Sequence, residues 1–231
     1  MIASSRVLKL FFPLKPFDPE IAFCAATDAS LSKGRPCDPP WHHISAVETM
    51  SNSIHLDELL DESTGLSVGA GANAAEAAAV CFEKNGHTGT VQLRIVGTIK
   101  VEFEINWALV TSTVRDSHND LQDATKDGAV GIAAICAGRL YDQKIVKQSW
   151  KKSGFDYHLA PRDAFLFQET MGYEISGILQ NDDAEINKRV RQKLRQVKRG
   201  NSSKDSHVFV MEFSQPKAKT DTYVQPRSSG T

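Results

Sequence analysis

Two acidic residues of this chain lie in apolar surroundings where a β-strand disfavours them. Asp156 is set in Ser-Gly-Phe-Asp-Tyr-His-Leu and Glu174 in Gly-Tyr-Glu-Ile-Ser-Gly-Ile, 18 residues further on. A carboxylate held against strand propensity needs a metal, a cation or a backbone donor as partner. A spacing of 18 suits two adjacent antiparallel strands joined by a loop. A third acid, Asp123 or Asp127, sits one turn apart on the preceding helix, and Asp127 is preferred because it neighbours Gly128 and a small-residue stripe. Three such carboxylates are hard oxygen donors suited to Mg²⁺. The alternative is purely structural, with Asp156 and Glu174 salt-bridged to Lys147, Lys151 or Arg162.

A second feature is cationic. The segment 184–199 carries Lys188, Arg189, Arg191, Lys193, Arg195, Lys198 and Arg199 against the single acid Glu185. On a helix, those residues present a face that can track phosphates, and Lys188, Arg191, Arg195 and Lys198 are the candidate nucleic-acid contacts. The overall net charge of −1 conceals this asymmetry. Residues 1–138 hold 10 Lys and Arg against 17 Asp and Glu, whereas residues 139–204 hold 14 against 8. A basic region behind an acidic front half suits a polyanionic partner.

The elements that must position these residues follow from periodicity. Residues 120–140 read as a helix with Ala129, Ile132, Ala133, Cys136 and Leu140 on one stripe. Strands are expected over 144–150, 155–160 and 172–179, with Lys151 to Gly154 as a turn. Asp182 to Glu185 forms a helix start, and Ile186, Val190, Leu194 and Val197 supply the apolar stripe of that helix. Residues 207–213 read as a buried strand. Upstream, residues 70–85 are Ala-rich and helical, and 90–96 and 99–110 alternate as a hairpin. The fold class is therefore α/β with a mixed sheet: an αβββαβ core over 120–214 and a helix-plus-hairpin extension over 55–112, within one domain over 50–214.

That order, with Asp156 opening one strand and Glu174 on the next, resembles the core of the PD-(D/E)xK, or restriction-endonuclease-like, nuclease superfamily. The resemblance covers the C-terminal part only. It implies a metal-dependent nucleic-acid phosphodiesterase in which Asp156 and Glu174 hold Mg²⁺, with Asp127 completing the metal shell. The family pattern departs at one point: its lysine two residues after the acid is Ser176 here. The resemblance then implies a cation supplied by the following helix, with Lys193 as the catalytic candidate and Lys188 behind it. The alternative is a catalytically inactive nuclease-fold subunit that binds nucleic acid or a protein partner through helix 184–199. No recognition module is visible, so specificity would come from a partner.

The remaining chain carries less chemistry. Gly69-Ala70-Gly71-Ala72-Asn73-Ala74 has the form of a dinucleotide turn, but no acid closes the next strand. Cys24, Cys37, Cys81 and Cys136 form no C-x-x-C pair, and Cys81 and Cys136 lie in apolar helical runs as reduced thiols. Val7 to Leu14 is interrupted by Pro13, so neither a signal peptide nor a membrane span is expected, and the chain reads as cytoplasmic. The proline-rich segment 1–49 reads as an irregular extension, with Met50 as the more natural start. Residues 215–231 are polar and read as a disordered tail.

Overall fold

The computed structural model describes residues 52–164, 170–200 and 204–226, all within one compact unit. The expectations for residues 1–49 lie outside the described residues. The elements are β1 (Ser53–His55), a 3₁₀ helix (Leu56–Leu60), α1 (Val68–Lys84), β2 (Thr90–Gly97), β3 (Val101–Asn106), α2 (Ser112–Ser117), α3 (Leu121–Tyr141), β4 (Gln143–Gln148), β5 (Tyr157–Pro161), β6 (Met171–Ile178), α4 (Asp183–Arg199), β7 (Ser206–Glu212) and β8 (Lys217–Tyr223). No helix among the described residues is long and apolar enough to cross a membrane.

Local chemistry sets the helix ends. Asp120 caps α3 by accepting from the N–H groups of Gln122 and Asp123, and Asp182 caps α4 by accepting from the Glu185 N–H at 2.9 Å. α3 ends at Asp142, whose φ of 53° is left-handed. The glycines of the dinucleotide-like segment fall inside α1 rather than in a strand-to-helix loop. At Gly71 an added Cβ would lie 1.8 Å from the Leu59 carbonyl oxygen. That glycine serves close packing of α1 on the 3₁₀ helix, which removes the phosphate-turn reading.

The eight strands of the described residues join one mixed sheet in the order β1-β3-β2-β8-β7-β6-β5-β4. β4, β5 and β6 run antiparallel to one another, and β6 pairs parallel with β7 across the α4 connection. With α3 in front, the element order over this region is helix, three strands, helix, strand within a mixed sheet, as expected from the sequence. One expectation is corrected. Residues 217–223 are not a disordered tail but β8, paired antiparallel with β7 and parallel with β2. The strand was hidden because Ala218 and Thr220 fill its buried positions, and neither registers as an apolar alternation. Lys217 and Lys219 extend over α4 to Asp183 and Asn187. β8 thus joins the helix-hairpin unit to the core.

The two faces of the sheet are covered differently. One large core gathers α1 and α3 over Tyr173, Ile175, Phe209 and Met211. A smaller one packs Ile186, Val190 and Val197 of α4 over Ile178, Val208 and Val210. β7 is consequently buried along its whole length, as a strand covered on both faces must be. The period-2 rule then sends Tyr173 and Ile175 toward α3, and Glu174, Ser176 and Ile178 toward α4.

Candidate active site

Asp156 stands one residue before β5. The ladder of β5 and β6 pairs Tyr157 with Tyr173, so the next cross-strand pair in that register is Asp156 with Glu174. The Asp156 N–H still donates to the Tyr173 carbonyl at 3.0 Å, which extends the pairing past the strand end. The side chain then takes over: Asp156 Oδ2 accepts from the Ile175 N–H at 2.9 Å. Here the chain turns back through Ser149–Phe155, where the Ser153 hydroxyl donates to the Phe155 carbonyl. A notch is left in the sheet where β5 stops and β6 continues.

Glu174 is fully buried behind that notch. Lys193 of α4 donates to its Oε1 at 2.5 Å and Gln196 donates to the same oxygen at 3.0 Å. Glu174 Oε2 is buried with no hydrogen-bond partner among the described residues. Burial first, and then the charge of Asp156, pushes the Glu174 carboxyl up to about 7, against the opposing pull of Lys193 and Gln196. Two residues along, the Ser176 hydroxyl accepts from Arg189 Nη1 at 3.3 Å. Helix α4 therefore brings two cations to this part of β6, one at Glu174 and one at Ser176.

Asp127 lines the same cleft as Asp156, Arg189 and Lys193, from the α3 side. Its Oδ2 accepts from Asn73 of α1 at 2.9 Å. Among the described residues, no three His, Cys, Asp or Glu side chains are grouped as a metal site. The structure therefore brings Asp156 and Glu174 together and leaves Asp127 on the cleft wall, tied to α1. The salt bridges weighed from the sequence do not form. Arg162 faces Asp142 at 3.9 Å, Lys147 stands over the Trp150 ring, and Glu174 takes Lys193 instead. Asp127 and Asp156 together still shape the cleft: after burial, their charges are what raise the Tyr157 phenol.

The predicted phosphate contacts divide. Lys188 pairs with Glu185 at 3.0 Å, while Arg191, Arg195 and Lys198 are exposed and have no ion-pair partner among the described residues. A second cleft of about 780 Å³ lies between the β4–β5 turn and the C-terminal half of α4. It shares Gln148 and Asp156 with the first, so Asp156 sits where the two meet. Cys81 and Cys136 are buried free thiols, and burial raises both, to about 11 and about 12.

Arg189, Asn73 and Trp150 were not singled out by sequence reasoning. Arg189 was one cation among seven, and Asn73 acts across 54 positions. Only Trp150, an aromatic beside Lys151 and Lys152, carried a local signal. Gly177 tightens the site from behind, because an added Cβ would lie 2.2 Å from the Thr125 carbonyl oxygen of α3. Gly177→Ala should destabilise the fold by about 1–3 kcal/mol, the usual cost of overpacking, measured by chemical denaturation. No family model, curated protein or solved structure matches the chain.

Proposed function

We propose that the protein is a metal-dependent nucleic-acid phosphodiesterase of the PD-(D/E)xK type, a hydrolase whose centre is Asp156, Glu174 and Lys193. The observation that carries this reading is the Asp156 carboxylate, held by the Ile175 N–H at 2.9 Å next to Glu174, with Lys193 delivered to Glu174 from α4 at 2.5 Å. The helix order supports the resemblance, and Lys193 with Arg189 supplies cations that Ser176 does not. The donor set fits Mg²⁺ because that ion is held by one or two carboxylates and keeps several waters. Asp156 and the orphaned Oε2 of Glu174 are the groups that would hold it. Mg²⁺ supplies Lewis-acid charge beside the phosphate and favours ionisation of a water.

The chain's own residues do the rest. The backbone bond from Ile175 fixes the Asp156 carboxylate at the mouth of the notch. Lys193 offsets the charge of Glu174 and is itself partly exposed, so its ammonium adjoins the cleft in which a phosphate would lie. Fixed positive charge there stabilises charge developing in the transition state. Arg191, Arg195 and Lys198 furnish the phosphate-tracking face.

The second reading, a catalytically inactive subunit binding nucleic acid or a protein partner through α4, is favoured by the same Lys193 contact. Lys193 already satisfies one oxygen of Glu174 and balances its charge, as in a purely structural ion pair. The two readings separate in a cleavage assay on labelled single- and double-stranded DNA and RNA with Mg²⁺, Mn²⁺ or EDTA. Hydrolysis that needs the metal, and falls by roughly 10²–10³ in Lys193→Met, is the expected result. Ser176→Lys should lower activity as well, because a second ammonium would crowd a site already served by α4. Absence of hydrolysis by the wild type with either metal would leave the binding subunit.

A further inference from the structure

We propose that the cleft beside Asp156 takes an unpaired nucleobase on Trp150, so the substrate class of the site is single-stranded or locally unpaired nucleic acid. This rests on the phosphodiesterase reading for its link to catalysis, but the binding it describes stands by itself. Trp150 is 78% exposed, although a ring of that size is a costly group to leave in water. It stands at the β4–β5 turn, in the wall of the cleft that ends at Asp156. Lys147 Nζ lies 5.7 Å above the ring, a cation–π contact that orients the indole.

The surroundings are cationic. Lys151 and Lys152 follow Trp150 directly, and Arg195 and Arg199 line the opposite wall from α4. None of these four has a carboxylate partner among the described residues. An exposed ring among unpaired cations matches a stacking platform with a phosphate track: the ring takes a base and the cations take the flanking phosphates. A duplex cannot use the ring in this way, since its base faces are already stacked and only base edges and phosphates remain available. The turn is held by its own bonds, with Ser149 Oγ donating to Ser153 Oγ at 2.7 Å, so the ring is presented without ordering a loop.

Binding of labelled dT12 and U12 by the full chain, measured by fluorescence anisotropy in EDTA, tests the proposal. Both strands should bind more tightly than a 12-base-pair duplex at equal salt. Trp150→Ala should weaken single-strand binding about tenfold without changing its salt slope, because stacking releases no counterions. Trp150→Phe should restore most of the affinity, since a smaller aromatic face remains. Arg195→Gln should instead lower the slope by about one. Equal affinity of Trp150→Ala and wild type for dT12, or preferred binding of the duplex, would overturn the proposal. Single-strand binding in EDTA, with no hydrolysis by the same protein once Mg²⁺ or Mn²⁺ is supplied, would retire the phosphodiesterase and keep this site. Hydrolysis indifferent to Trp150 would do the reverse.

Discussion

Asp156→Asn should reduce Mg²⁺-dependent hydrolysis to background while leaving the protein folded. The amide keeps an oxygen able to accept from the Ile175 N–H, so the bond that closes the strand end survives. What is lost is the carboxylate charge proposed to hold the metal, at the point where the two clefts meet. The same variant carries an independent signature. The charge of Asp156 is the second cause, after burial, of the raised Glu174 carboxyl. Removing it should bring Glu174 down toward its ordinary range, and titration of the wild type and the variant by ¹³C NMR of the Glu174 carboxyl would show this. Retained hydrolysis in the folded variant would remove Asp156 from the chemistry.

Glu174→Gln should change how stability depends on pH. In the folded protein this carboxyl titrates near 7, against an ordinary 4.5. Between those values the folded state holds a proton that the unfolded chain has released. Stability from this group is therefore fully present below about 4.5, falls as pH rises, and is lost above about 7. The gap corresponds to about 3 kcal/mol. Glutamine cannot ionise and still accepts from Lys193, so the variant should lose that slope. Denaturation by urea at pH 5 and pH 8 without divalent ions measures it: the wild type should drop by about 2.5 kcal/mol more than the variant over that interval, since part of the loss already lies below pH 5. Parallel behaviour of the two proteins would mean that Glu174 is ionised throughout.

Much of the core was legible because its elements are built by local pattern. The Ile186, Val190 and Val197 stripe became the buried face of α4, and the apolar run at 207–213 became the doubly covered β7. That Asp156 and Glu174 come near each other could be expected from their spacing, although Asp156 lies one residue before β5 and not on a strand, where the sequence pattern put it. Three features were not readable in this way. β8 takes its identity from neighbours on both edges, since Ala218 and Thr220 announce nothing by themselves. Asp127 was placed by helix periodicity, but the Asn73 bond that holds it depends on how α1 crosses α3. The choice of Lys193 and Arg189 as the cations that reach β6 depends on the rotation of α4, which composition cannot report.

The position of β8 also orders events in time. It lies between β2 and β7, and more than a hundred residues separate it from its parallel partner β2. On the ribosome, β2 and β7 are both made before the strand that joins them. Until β8 is released, each presents a full row of unpaired backbone donors and acceptors, the condition under which sheets recruit foreign strands. The last closure is a long-range one, of the kind that makes folding slow. Nascent chains of this protein therefore carry two open sheet edges until synthesis has passed Tyr223, and that interval is where chaperone dependence and aggregation would concentrate.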